Sequence, residues 1–381
     1  LFSDRPLMFD KENTMAGDVY QDLREQLDQY SVGFPTTESG VEMRILSKLF
    51  TEEEAETFLN LSLMLETADA VAQRIGRPPE EVSSILEGMV DKGLIFRKKK
   101  GDDLLYGAIP FVVGSYEFQV KDMDRELAEL VEEYFVQAFY KQGIGAYAPL
   151  RTIPVNMSID HSWPVAPYED VRAIIKSKEK IGLAKCICRV HQGILEKGCD
   201  KPLEVCFSFG SHADYYVDKG MARYITQEEA LKVIDECDEA GLVPQPFNAQ
   251  DAGGMCNCCG DCCGILRSIK MHPKPAEMVV TNYYATVDPE LCSACETCVD
   301  RCQMDAIALG PDDVALVDRD RCIGCGLCVT TCPSEAVTLA RKPESERRDP
   351  PVRARDTMMQ MAERRGKSLI PLAVVRGSKA P

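Results

Sequence analysis

Apolar positions recur at helical spacing at Val19, Leu23, Leu27 and Tyr30, and a Gly/Pro/Thr-rich loop follows them. This predicts a packing helix or arm within residues 1–40. From Val41 to Val120 the pattern predicts three helices and a hairpin. Thr51 with Glu54 makes a capping box for a helix through about Leu65, and Thr67 caps a short helix that ends at Gly76. Pro78 and Pro79 open a third helix running to Lys92, which Gly93 stops. The stretch LIFRKKKGDDLLYGAIPF then reads as two apolar strands around a charged turn. Leu127, Leu130, Val131, Tyr134, Phe135, Ala138 and Phe139 share one face of a long helix at about 122–142. A Gly/Pro-rich connection containing Trp163 occupies 143–167. A further helix runs from Thr226 to about Ala240, and a Pro/Gly loop then leads to CNCCGDCC.

Three helices followed by a two-stranded wing are the winged-helix arrangement. The expected fold class is therefore α+β and multidomain, with a winged-helix N-terminal domain, an α/β cysteine-rich middle domain and a two-cluster ferredoxin-type C-terminal domain. The expected divisions are an arm (1–40), the winged helix (41–120), a helical connector (121–167), a cysteine-rich metal-binding domain (168–286), the ferredoxin domain (287–340) and a basic tail (341–381). That tail carries eleven Lys or Arg against five Asp or Glu.

Composition narrows the function. The 381 residues are 45% apolar, enough for ordinary buried cores. No apolar run reaches the roughly 20 residues a bilayer span requires, and no early stretch resembles a signal peptide, so a cytoplasmic location without a transmembrane segment is expected. A net charge of -17 argues against general affinity for nucleic acid or anionic membrane. Eighteen cysteines in such a chain point to metal rather than to disulfides.

The most specific motif is a repeat. CSACETCVDRCQMDAIAL and CIGCGLCVTTCPSEAVTL align with their cysteines in register: Cys292, Cys295, Cys298 and Cys302, then Cys322, Cys325, Cys328 and Cys332. Cysteine at every third residue turns three thiolates toward one cubane, while the fourth is expected to begin a helix pointing at the other. One 4Fe-4S cluster would take Cys292, Cys295, Cys298 and Cys332, and the second Cys322, Cys325, Cys328 and Cys302. The segment resembles bacterial two-cluster ferredoxins over about 287–340. Ala294, Gly324 and Gly326 let backbone N–H groups approach the sulfurs. Pro333 follows Cys332 as in that family, whereas Gln303 replaces the usual proline after Cys302. A pair of zinc sites is the alternative, but zinc needs neither the duplication nor the crossover cysteine.

Upstream lie Cys186, Cys188, Cys199, Cys206, Cys256, Cys258, Cys259, Cys262 and Cys263. Five thiols within CNCCGDCC would repel one another as thiolates without a cation among them, so an additional iron–sulfur cluster, or two, is expected here, with zinc as the alternative. Cys186, Cys188, Cys206, Cys258, Cys259 and Cys262 are the favoured ligands, ahead of Cys199, Cys256 and Cys263. Cys237 shares an apolar helix face with Ala230 and Ile234 and reads as a buried small hydrophobe. The CCG steps look locally like the CCG modules of heterodisulfide reductase subunits. The whole chain is similar to multidomain 4Fe-4S ferredoxin-like proteins, a resemblance that implies anaerobic electron traffic.

The third winged-helix helix carries Glu80, Glu81, Glu87 and Asp91 against Lys92 alone, so it suits protein docking better than a DNA groove; only Arg97, Lys98, Lys99 and Lys100 of the wing offer phosphate contacts. His191 reads as a packing residue, with cluster ligation as its alternative, and Arg189 as a neutraliser of cluster charge. No dinucleotide fingerprint or hydrolytic triad is evident. The leading expectation is an electron-transfer subunit of an anaerobic oxidoreductase complex, partnered by a flavoprotein or reductase. The alternatives are a redox-sensing winged-helix regulator and an enzyme with a substrate-accessible cluster.

Overall fold

The computed structural model describes residues 19–141, 148–155, 158 and 165–377. Trp163, most of the connection around it and residues 1–18 of the arm lie outside the described residues. Helix α1 (Val19–Leu27) buries Leu23 and Leu27 against α2 (Val41–Leu49) and α3 (Glu52–Phe58). Gln26 Nε2 donates to the carbonyls of Phe58 and Leu61 at 3.0 and 3.1 Å. The Thr51–Glu54 capping box forms, yet α3 stops at Phe58, not near Leu65. Asn60 ends it by donating its side-chain amide to the Glu56 carbonyl at 2.9 Å, which takes the place of a further helical N–H. α2 is a separate helix that the reading of Val41–Leu65 did not anticipate.

Strand β1 (Glu66–Thr67), α4 (Ala68–Ile75), α5 (Pro79–Asp91), β2 (Phe96–Lys100) and β3 (Asp103–Gly107) complete the winged helix, with antiparallel strand order β1-β3-β2. The expected punctuation holds: Thr67 Oγ1 accepts from Ala70 N, Pro79 opens α5, and Gly76 and Gly93 adopt φ of 72° and 69°. A short α6 (Tyr116–Phe118) leads to α7 (Arg125–Gln137), which ends before residue 142 in a 3₁₀ turn that still buries Phe139 and Tyr140.

The middle domain comprises α8 (Val171–Lys176), β4 (Ile181–Lys185), α9 (Ile187–Ile194), β5 (Glu204–Phe209), α10 (Ser211–Asp218), β6 (Ala222–Ile225), α11 (Gln227–Glu239), β7 (Val243–Pro246), β8 (Gly254–Cys258) and α12 (Gly264–Met271). Its five strands form one antiparallel sheet of order β6-β4-β5-β8-β7. Thr226 caps α11 as expected, and Cys237 is buried beside Ala230 and Ile234, burial pushing its thiol up to about 12.

The C-terminal domain has two short pairs, β9 (Tyr283–Val287) with β12 (Val337–Arg341) and β10 (Ile307–Leu309) with β11 (Ala315–Val317), together with α13 (Thr297–Arg301) and α14 (Leu327–Thr330). The basic tail is not a free arm. It forms α15 (Ala354–Arg364), buries Met361, donates Thr357 Oγ1 to the Asn248 carbonyl, and sets Arg365 and Lys367 on Asp28 at 2.8 and 2.7 Å. No described helix is long and apolar enough to cross a membrane.

Candidate metal centres

The duplicated cysteines build two lobes. One cavity is lined by Cys292, Cys295, Cys298 and Cys332, the other by Cys302, Cys322, Cys325 and Cys328. Each therefore gathers three thiols of its own repeat and the fourth of the other. The fourth cysteine does not begin a helix, as the spacing had suggested. Cys302 is the C-cap of α13 and Cys332 lies just past α14, so each follows a helix of only four or five residues. Backbone N–H groups reach the sulfurs: Ala315 N to Cys292 Sγ and Ala285 N to Cys322 Sγ at 3.4 Å, and Ala306 N to Cys302 Sγ at 3.2 Å. Such donors stabilise thiolate charge, and four thiols per cavity fit a 4Fe-4S core.

The lobes differ in environment. Cys295 is exposed, and the Thr297 hydroxyl, 3.4 Å from its sulfur, lowers its pKa. In the other lobe burial pushes Cys325 up to about 12 and Cys328 well above its ordinary value. That second lobe is docked on the middle domain. Val155 N donates to the Cys325 carbonyl at 2.9 Å, Arg301 donates to the carbonyls of Glu239 and Asp238, and Gln303 Oε1 accepts from Gly260 N at 2.7 Å. A Cβ on Gly260 would lie 2.7 Å from the Gln303 carbonyl oxygen, so the contact requires glycine there. Gln303 thus ties the residue after Cys302 to the centre of CNCCGDCC.

The nine upstream thiols separate into two groups. Cys186 follows β4 and caps α9, which carries Cys188; Cys206 lies on β5; Cys256 and Cys258 lie on β8; Cys263 caps α12. The strand alternation that puts Cys256 and Cys258 on one face lies in a segment to which the sequence reading assigned no element. These six thiols neighbour one another in a closed order, Cys186, Cys188, Cys263, Cys258, Cys256, Cys206 and back to Cys186, each influencing the ionisation of the two beside it. Their ionisations are tied together: a thiolate is stabilised by the thiols beside it and opposed by a second thiolate there. Adjacent thiols cannot all ionise without a cation core, so the ring is an anionic cage suited to several metal ions.

Cys199, Cys259 and Cys262 form the second group. Their sulfurs lie within 4.8 Å of one another, with Cys199–Cys259 at 3.8 Å and Cys262–Cys199 at 3.5 Å. The favoured six from the sequence are thus divided: Cys186, Cys188, Cys206 and Cys258 join Cys256 and Cys263, while Cys259 and Cys262 join Cys199.

Arg189 lies between the groups. It is buried, donates to the Asn257 carbonyl at 2.9 Å, and leaves Nε and one Nη without a partner among the described residues. Burial opposes its charge, but the thiolates of Cys186, Cys259, Cys258 and Cys206 outweigh that penalty and raise its pKa. A buried guanidinium with free donors is an expensive feature unless anionic charge faces it. His191 is no free ligand. Its Nδ1 bonds Tyr116 Oη at 3.0 Å and its Nε2 bonds the Ala128 carbonyl at 2.8 Å. Sequence reasoning missed Glu117, half-buried near Cys256 and Cys263, where desolvation pushes its carboxyl up to about 8.

Helix α10 joins the ring to the winged helix. Burial and the charges of Glu117, Cys206 and Cys256 raise the phenol of Tyr216. On the other side His212 stacks on Phe96 at 4.8 Å, Tyr215 Oη donates to the Ile95 carbonyl at 2.9 Å, and Asp218 pairs with Arg97. Glu87 also pairs with Arg97, Asp91 with Lys219 and Glu81 with Arg77, so three of the four acids of α5 are held in ion pairs.

Comparison with known families agrees with this architecture. The family described as 4Fe-4S dicluster domain matches residues 285–339, and the family described as Sugar-specific transcriptional regulator TrmB matches residues 47–112. The chain therefore combines a winged-helix-type TrmB domain, a cysteine-rich middle and a ferredoxin-like dicluster domain. No curated protein and no solved structure gives a significant match.

Proposed function

We propose that the protein is an iron–sulfur electron-transfer protein that relays single electrons between the two C-terminal lobes and the six-thiol ring, as a partner of an oxidoreductase. The observation that carries this reading is the pair of four-thiol cavities, each completed by the other repeat's fourth cysteine. Cys292, Cys295, Cys298 and Cys332 would hold one 4Fe-4S cluster, Cys302, Cys322, Cys325 and Cys328 the second, and the ring a further one. When bound, such clusters take up and release one electron at a time. The chain's own residues set the conditions. Ala285, Ala306 and Ala315 donate N–H groups to ligand sulfurs, and Arg189 balances thiolate charge at the ring. Gln303 holds the second lobe to the upstream loop. A flavoprotein or reductase supplies the acceptor or donor in this reading. Anaerobic isolation with iron and sulfide analysis and EPR tests it: at least eight irons per chain are expected, and fewer in fully loaded protein would overturn it.

A second reading, a redox-sensing regulator, is favoured by two observations: the TrmB match and the attachment of α10 to both ring and wing. Salt-dependent, sequence-specific DNA binding would establish it. The acidic face of α5 weighs against it, and failure to shift any duplex at low salt would end it.

A further inference from the structure

The two upstream groups of thiols differ in spacing as well as in membership. No three of the six ring sulfurs come within 4.8 Å of one another, and the same holds for the four sulfurs of each C-terminal lobe. Among the described residues only Cys199, Cys259 and Cys262 close to that degree. A single tetrahedral ion with metal–sulfur bonds of about 2.3 Å needs thiolates about 3.8 Å apart. The 3.8 and 3.5 Å separations at Cys199 match that edge. A polynuclear core needs its ligands further apart, as the lobes place theirs.

We propose that Cys199, Cys259 and Cys262 hold a single zinc-class ion, distinct from the iron–sulfur centres, with its fourth position open to an exogenous thiol. Three observations support the open position. No His, Asp, Glu or further Cys completes the group among the described residues. Cys259 and Cys262 are buried while Cys199 is only half-buried, which gives the site one accessible side. One guanidinium serves it: Arg189, with unpartnered donors near Cys259, whereas Arg267 near Cys262 is already paired with Glu132. Three thiolates on a divalent ion carry one net negative charge and a fourth adds another, so a buried cation with free donors favours an anionic, soft ligand. On binding, the thiol's S–H bond breaks as the metal–sulfur bond forms and the proton leaves to solvent; no oxidation state changes. The remaining upstream centre stays with the ring, so this inference rests on the proposed function only for the ring's metal.

The test uses the full chain isolated without oxygen, with zinc and iron measured together. About one zinc per chain is expected. Cys199→Ser should lower zinc at least tenfold at unchanged iron, and the ring variant Cys206→Ser should lower iron at unchanged zinc. Unchanged iron in Cys199→Ser also reports that the variant folds. Cobalt(II) exchanged into the site should show tetrahedral thiolate absorption that shifts on titration with 2-mercaptoethanol. The proposal is overturned if Cys199→Ser removes iron, if neither zinc nor cobalt binds, if a Cys199–Cys262 disulfide forms in their place, or if the thiol leaves the cobalt spectrum unmoved. Loss of the C-terminal irons with zinc retained would instead refute the electron-transfer reading alone.

Discussion

The two C-terminal lobes share a repeat but solve the same backbone problem differently. In the lobe of Cys292, Cys295 and Cys298 the left-handed positions are held by Ala294 and Glu296, with φ of 54° and 57°. In the lobe of Cys322, Cys325 and Cys328 the equivalent Gly324 and Gly326 have φ of 65° and 75°. The conformation therefore does not by itself require glycine; a side chain is tolerated there at a cost of about 1 kcal/mol. What requires glycine is packing. A Cβ on Gly324 would collide with the Tyr283 carbonyl, and one on Gly326 with Ser158. The first lobe exposes Cys295 and the second packs against protein, so one motif is open and the other docked.

The sharpest break of this comparison is an exchange of the small residues. Gly324→Ala should destabilise the second lobe by about 3 kcal/mol or more, since the clash is with backbone that cannot move aside. Iron analysis should show loss of that lobe's share, whereas Ala294→Gly should leave iron content unchanged. Equal loss in both variants would show that the lobes are equivalent and that the packing argument fails.

The middle domain also holds the winged helix, and acid separates that attachment from the lobes. His212, wedged against Phe96, has its pKa lowered to about 4 by burial and by Lys98. A folded-state value below the unfolded 6.5 means that the unfolded state binds the proton more tightly. The contact is therefore at full strength above pH 6.5 and weakens as pH falls toward 4. The total is about 2 kcal/mol, allowing for partial exposure. Hydrogen exchange of β2 amides should accelerate across that window, and His212→Phe should flatten the response. An unchanged profile in that variant would assign the acid sensitivity elsewhere.

Exposure should also order oxidative damage. Cys295 is the exposed thiol of its lobe, while Cys325 and Cys328 are half-buried and buried. A bulky oxidant such as ferricyanide should bleach the first lobe about tenfold faster than the second, a difference of about 1.4 kcal/mol in barrier. EPR of samples quenched at intervals reads the order, and simultaneous loss would contradict it.

Much of this was legible beforehand because it is local. The crossover sets of the lobes follow from eight regularly spaced cysteines, and the winged helix from Thr67, Gly76, Pro79 and Gly93, whose capping and φ preferences act within a few residues. The division of the upstream thiols was not legible. Cys206 reaches Cys256 only through the pairing of β5 with β8, and Cys199 meets Cys259 and Cys262 across some sixty residues of chain. CNCC is too short to betray that its first three residues end a strand. The packing of the basic tail is a related case: Asp28, more than three hundred residues away, holds Arg365 and Lys367.

The finest distinction between the lobes lies at the residue after each fourth cysteine. Pro333 is exposed, whereas Gln303 accepts from Gly260 N at 2.7 Å. Proline at 303 would supply no such acceptor, so Gln303→Pro should lose about 1 kcal/mol. That predicts exchange of the Gly260 amide about fivefold faster and slower electron equilibration between the second lobe and the ring, with iron content unchanged. Pro333→Gln, the reciprocal change on the open side, should alter neither. Equilibration rates unaffected by Gln303→Pro would mean that the bond fixes only the docking of the lobe; if both variants slow equilibration alike, the two fourth-cysteine turns are equivalent and the division into open and docked sides is wrong.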